Sequence, residues 1–200
     1  MAIFEKPKTD YDDADVKIIF LHGLEGSTTG EKSIHLHATW HANSPAIRTQ
    51  KLQNLRAKMY PKGFQQARKR DLEKAIHPAY EDARDAVRYA RPDLIVGSSL
   101  GGALLARLVM EGEYDGHCVF LAPAIENLLG TVVLPPLKSS VWILAETDDQ
   151  VSNASNIRHC MQVGGNLMMS PNDNHRLQLA LKNGLIDSAI VTSLEIGCNT

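Results

Sequence analysis

Long apolar runs are missing from this 200-residue chain, and no stretch approaches the roughly 20 apolar residues that a membrane-spanning helix needs. The opening residues, MAIFEKPKTDYDDADVK, carry charge throughout and lack the apolar segment of a signal peptide. Cysteine is scarce. Cys118, Cys160 and Cys198 are odd in number and widely spaced, which excludes a disulfide framework and a cysteine-based zinc cluster and points to a reducing, cytoplasmic compartment. Strong charge of one sign is also absent. Twenty-one Lys and Arg against 23 Asp and Glu argue against a general nucleic-acid binder, which would be markedly basic. Neither G-x-x-x-x-G-K-[ST] nor G-x-G-x-x-G occurs, so the common phosphate-binding loops are excluded. No repeat, low-complexity tract or linker divides the chain. A charged arm over 1–15 and one domain over 16–200 are expected.

What is present is alternation. Val16–Leu21 (VKIIFL), Asp93–Gly97 (DLIVG), His117–Leu121 (HCVFL) and Val141–Ala145 (VWILA) are short apolar runs of the kind found in strands buried on both faces. Pro45–Thr49 and Asn166–Ser170 are weaker strand candidates. Helical stretches lie between: Glu31–Ala42, two within Gln65–Ala90 broken at Pro78, Leu100–Met110, Asn153–Gln162, and Arg176–Thr192 with an interruption at Gly184. This order predicts a three-layer α/β/α sandwich around a mainly parallel sheet of about six strands.

In such sheets, sites form beyond the carboxyl ends of the strands. The residues there are His22-Gly23-Leu24, Ser99, Ala122-Pro123, Asp148 and His175. Ser99 stands in Gly97-Ser98-Ser99-Leu100-Gly101, a G-x-S-x-G turn that follows a strand and opens a helix. A reversal that sharp forces the serine into a strained conformation and leaves room only for glycine two residues to either side. It also raises Oγ above a helix N-terminus, where unpaired N–H groups suit a developing oxyanion. Ser98 occupies the variable position and is the lesser alternative.

A serine hydroxyl needs an adjacent base, and the base needs an orienting acid. ILAETDDQVS ends a strand and supplies Asp148 and Asp149; D-x-x-V favours Asp148, with Val151 turning back to the core, over Asp149 and Glu146. Of the eight histidines, His159 falls inside a predicted helix. His175, in SPNDNHRL, falls in a polar loop before the last helix that can carry an imidazole over the serine. After the first strand, Gly23 allows close backbone approach, and the N–H groups of Leu24 and Leu100 form a candidate oxyanion hole. His22 is read as holding that turn.

With these residues placed, HGLEGS and VGSSLGG make the chain resemble the α/β-hydrolase superfamily, and in particular its compact, nearly lidless esterases and thioesterases. The resemblance runs from about Val16 to the end of the chain. It implies a reduced α/β-hydrolase fold with strand order 4-3-5-6-7-8 in the family's numbering. It also implies hydrolysis of short-to-medium acyl esters or thioesters through an acyl-enzyme, without a cofactor or metal. Ser99 would be the nucleophile, His175 the base and Asp148 the acid, with Leu24 and Leu100 as oxyanion donors and His22, Gly23, Gly97 and Gly101 shaping the turns. The doubled Asp148-Asp149 leaves the acid open, and NDNH lacks the glycine that often precedes the base. Lids in this superfamily usually follow the strand ending here near Leu121; only Ala122–Ser140 is available, as an acyl-pocket wall or as a helix and loop packed on the sheet.

Residues 48–74 hold nine basic side chains against two acidic. A solvated face is the favoured reading, and attraction of an anionic substrate the other. His37 and His41, four apart, do not by themselves make a zinc site. The expected partner is a small ester or thioester, not a nucleic acid or a membrane. A non-catalytic module that binds a ligand on the same scaffold, and a hydrolase of another acyl bond such as a peptidase or lactonase, are the rival readings.

Overall fold

The computed structural model describes residues 16–60, 63–64, 67–147 and 150–196. Five parallel strands, β1 (Ile18–Leu21), β2 (Leu94–Ser98), β3 (His117–Leu121), β4 (Ser139–Ala145) and β5 (Asn166–Ser170), form one sheet in that order. Every residue of β1 to β4 is buried, because helices cover both faces and the apolar runs need no polar alternation. On one face Ile19, Leu21, Ile95, Phe120 and Trp142 meet α2 (Gln50–Met59), α3 (Lys69–Ala90), α4 (Leu100–Met110), α5 (Ile125–Leu129) and α6 (Gln150–Gln162). On the other, Ile18, Phe20, Val96, Val119 and Ile143 meet α1 (Glu31–Trp40), α7 (Gln178–Lys182) and α8 (Leu185–Ile196). Phe120 and Trp142, partners in register, stack with ring centroids 4.1 Å apart, an arrangement that contributes about 1 kcal/mol beyond area burial. Among the described residues no helix is long and apolar enough to cross a membrane.

The sheet has five strands, where about six were expected. Asn166–Ser170 forms the edge strand, but Pro45–Thr49 does not pair. What stands in its place is a single bridge, in which Phe20 N–H donates to Asn43 O and Asn43 N–H to Ile18 O, each at 2.9 Å. Pro45, two residues on, has no N–H with which to extend the ladder.

That one bridge decides where a cleft opens. Asn43 lies on the edge of β1 away from β2, so from β1 the chain first steps outward through α1 and then returns across β1 to reach β2. Right-handed crossovers then put α1 on one face and α4 on the other. The connections leaving the carboxyl ends of β1 and β2 diverge, and a crevice forms between them.

Two helical expectations are corrected and a third is met. Pro78 does not break α3, which runs without interruption from Lys69 to Ala90. Interior proline costs about 3 kcal/mol, but Ile76, Ala79, Tyr80, Ala83 and Val87 form one buried stripe across it, worth more than that if each large side chain contributes about 1.5–3 kcal/mol. Helix α2 was not foreseen: Leu52 is its sole fully buried residue, so it has hardly any apolar periodicity to read. The terminal segment is divided at Gly184, as expected, into α7 and α8, with Gly184 at φ +71°.

Two buried histidines make the fold acid-sensitive. His117 donates through Nδ1 to Ser193 O at 2.7 Å. Burial lowers its pKa, against that hydrogen bond. Burial likewise lowers the pKa of His159 in α6, opposed by Glu126. A group that binds its proton less well folded than unfolded makes stability rise with pH up to about 6.5 and fall on acidification below it. Urea denaturation at pH 7 and pH 5 should therefore show lower stability at pH 5, by up to about 1.4 kcal/mol per pH unit for each group. His159→Leu should flatten the slope; an unchanged slope would remove His159 from this account.

Candidate active site

The crevice between β1 and β2 is a cleft of about 1130 Å³, lined among others by His22, Gly23, Leu24, Ser99, Leu100 and His175. Ser99 has φ +52° and ψ −108°, a conformation that costs about 1–3 kcal/mol and persists only where the surroundings over-determine it. Here they do. Ser99 N–H donates to Leu121 O at 2.9 Å, and Ser99 O accepts from Ala124 N–H at 3.0 Å and Ala103 N–H at 3.2 Å.

The glycines explain themselves by distance. A Cβ on Gly97 would lie 2.7 Å from Gly101 O, and one on Gly102 2.5 Å from Pro123 Cβ. A Cβ on Gly101 would lie 1.8 Å from Leu21 O, so α4 starts hard against the backbone of β1. Gly23 differs, since a Cβ there would make ordinary contacts at 3.4 Å with Ser99 Cβ and 3.5 Å with Ser98 O. His22 is buried and donates through Nδ1 to Gly23 O at 2.8 Å, which closes the turn carrying Leu24. Leu100 is the first residue of α4, and its N–H has no intrahelical acceptor.

Seventy-six positions along the chain from Ser99, His175 places Nε2 at 2.8 Å from Ser99 Oγ. With the ring proton on Nδ1, Nε2 accepts from Oγ–H, which is the tautomer a base at this position needs. Asp148 and Asp149 lie outside the described residues. Glu146 is exposed, and its carboxylate accepts from Asn172 N–H at 2.9 Å, so it serves the neighbouring turn. Ser98 ends β2 buried, and His159 is buried in α6. His37 reaches Ala42 O through Nδ1 at 3.4 Å and His41, at φ +53°, ends α1; among the described residues no three His, Cys, Asp or Glu side chains gather as a metal set.

The sequence reading missed Asp173, which shapes the His175 loop. Its carboxylate is buried and accepts from Ala180 N–H at 2.8 Å, Asn174 N–H at 2.9 Å and Ser170 Oγ at 2.9 Å. Burial pushes this carboxyl up, but those donors outweigh it and hold it below the usual range. Its backbone carbonyl accepts from Thr147 N–H at 3.2 Å and from the Thr147 hydroxyl, joining the loop to the end of β4. The stabilisation is present above the ordinary aspartate pKa and is lost as pH falls through the lowered one. Asp173→Ala leaves buried donors unmatched, at about 1–3 kcal/mol each. A lower urea midpoint is expected; a variant with the wild-type midpoint would contradict a structural role for this carboxylate.

The cleft walls are another finding. The segment after Leu121 contributes only Ala124, Asn127 and Leu128. Leu134 is buried in the core and Val133 is exposed. The largest share of the wall comes from residues 20–33, and the basic stretch adds Leu52 and Arg56 of α2 with Gly63 and Phe64. Elsewhere in that stretch Arg48 is tied to Asp82 and Arg68 to Asp71.

No protein-family model matches the sequence, and no curated protein matches it. Solved structures do match. A protein of the α/β superfamily of hydrolases from Xanthomonas campestris pv. campestris superposes with a TM-score of 0.65 at 17% identity, over 89% of this chain and 98% of its own. A thermophilic esterase, Est2, from the Planctomycetes species Thermogutta terrifontis gives 0.61 at 15% identity, over 96% and 86%. Est1E from Butyrivibrio proteoclasticus gives 0.61 at 13%, over 92% and 89%. The fold of this chain is that of the α/β hydrolases, in a reduced form with five strands.

Proposed function

We propose that residues 16–200 form a serine hydrolase that cleaves carboxylic esters or thioesters of short-to-medium acyl chains through an acyl-enzyme. The observation that carries this is the 2.8 Å contact between His175 Nε2 and Ser99 Oγ, made at a strained turn inside an open cleft. The esterases among the structural neighbours support the same chemistry.

In this reading His175 Nε2 takes the proton from Ser99 Oγ as the oxygen attacks the substrate carbonyl. The tetrahedral oxyanion is met by the N–H groups of Leu24 and Leu100, where preorganised donors act most strongly. As the intermediate collapses, His175 returns the proton to the leaving alcohol or thiol. Water, deprotonated by the same imidazole, then releases the acid. Asp148 is the proposed acid that holds Nδ1–H and stabilises the imidazolium, with Asp149 the alternative. It follows Thr147 in the chain, and Thr147 is bonded to the His175 loop. No step calls for a cofactor. Leu24, Leu52, Phe64 and Leu128 offer apolar wall to an acyl chain of modest length. Cys118 and Cys160, buried and free, suit a reducing cytoplasm; burial pushes the Cys160 thiol up to about 11, so it does not compete as a nucleophile.

A fluorophosphonate probe should label the folded wild-type protein, and an acyl series from acetate to palmitate should peak at the short-to-medium end. Absence of labelling would favour the non-catalytic binding module; activity confined to long-chain lipids would overturn the chain-length assignment.

A further inference from the structure

Charged groups crowd one side of the cleft in an arrangement that hydrolysis of a neutral ester does not require. Arg56 projects from α2 one turn beyond buried Leu52, and both line the cleft. Arg176 follows His175 directly. Its backbone is held at both ends, with N–H donating to Asn174 Oδ1 at 2.9 Å and the carbonyl accepting from Lys32 Nζ. Between the two guanidinium groups sits Glu25, which accepts from Arg56 Nη1 at 2.6 Å and lies 3.8 Å from Arg176 Nη2. Three segments that frame the mouth, the turn after β1, helix α2 and the His175 loop, thus converge on one carboxylate.

These pairs do little for stability. The side chains of Arg56, Arg176 and Glu25 are 52%, 73% and 63% exposed, and ion pairs so open to water are weak and easily exchanged. Glu25 is thus held by contacts that another carboxylate can replace. Were it to swing outward, the charged side chains lining the cleft among the described residues would be Lys32, Arg56 and Arg176 with Glu31. Lys32 is half-buried; burial lowers its pKa, while Asp173 and Glu31 oppose that effect.

We propose that the preferred substrates carry a carboxylate away from the scissile bond, that Arg56 and Arg176 bind it, and that Glu25 occupies this anion site in the free protein. The inference rests on the serine-hydrolase reading above and narrows its substrate class to esters or thioesters of dicarboxylic acids, or of acids with an acidic leaving group. Arginine suits the task because its planar fork matches a carboxylate in two-point contact.

The test compares kcat/KM for matched esters: 4-nitrophenyl hemisuccinate with 4-nitrophenyl butyrate, and 4-carboxyphenyl acetate with phenyl acetate. At low salt the acidic member of at least one pair should be favoured about tenfold, and the advantage should shrink at high ionic strength. Arg56→Gln and Arg176→Gln should each cut the acidic-to-neutral ratio about fivefold or more. Glu25→Gln should raise that ratio by lowering KM for the acidic ester, an effect that a merely structural Glu25 would not produce. Ratios at or below one in both pairs, or ratios indifferent to all three substitutions, would overturn the proposal. If no ester is cleaved and no fluorophosphonate label appears, the hydrolase reading fails by itself. The anion site is then read by calorimetric titration of the wild-type protein with glutarate: binding lost in Arg56→Gln and Arg176→Gln sustains it, and no binding ends it.

Discussion

Ser99→Ala is expected to lower kcat/KM for a short-chain 4-nitrophenyl ester by about 10⁴-fold or more and to abolish fluorophosphonate labelling. His175→Ala should cost about as much, and the double variant no more than either, because the two act as one unit. The acid is resolved in the same assay: Asp148→Asn should lose about 10⁴-fold in kcat while Asp149→Asn stays close to wild type, and the reverse pattern would transfer the role to Asp149. Ser99→Gly adds a stability readout. At φ +52° and ψ −108° a serine backbone is strained and a glycine backbone is not. Ser99→Gly should therefore be inactive yet more stable than Ser99→Ala, by about 1 kcal/mol. Equal midpoints for the two in urea would show that the turn stores no such strain.

Gly101→Ala carries the largest expected effect on the fold. Its Cβ would lie 1.8 Å from Leu21 O and 2.4 Å from Leu21 C, and neither atom can give way without moving β1 or the start of α4. The expected loss is about 4 kcal/mol or more, a large share of the stability of a domain this size, so the protein should be insoluble or unfolded. Gly23→Ala, whose Cβ meets only ordinary contacts from 3.4 Å, is the control and should fold and melt near the wild type. Soluble yield and thermal unfolding, measured for both, decide the matter. A Gly101→Ala protein melting near the wild type would mean that α4 does not pack against β1 as described.

The sequence by itself determined the layers of this protein and marked its candidate site along the chain. The runs that became β1 to β4 are apolar at consecutive positions, which a strand tolerates only when helices cover both faces. Gly97 and Gly101 mark a strand-to-helix reversal around Ser99 because a Cβ at either would run into backbone, and His175 stands out as a histidine in a polar loop at a strand end. These signals are local, so they survive without any knowledge of the fold.

The rest depended on contacts between distant residues. Asn43 bridges to Ile18 and Phe20 through backbone groups that every residue carries, so nothing in its side chain announces that the chain turns back across β1 and opens the cleft there. Helix α2 buries Leu52 fully and Leu55 in part, and its role as a wall comes from where it docks. Asp173 reads as one more loop carboxylate until the loop folds and brings the N–H of Ala180, seven residues away, onto it. Pro78 sits in an unbroken helix because the buried stripe around it outweighs a local penalty, a comparison that only packing can make. Arg56, Glu25 and Arg176 are separated by up to 151 residues and meet at one carboxylate because a turn, a helix and a loop reach the same crevice. The candidate serine and histidine stand at positions that local sequence marks; the cleft, its walls and the charges at its mouth are properties of the tertiary structure, since each is made by groups that the backbone brings together only when the sheet is complete.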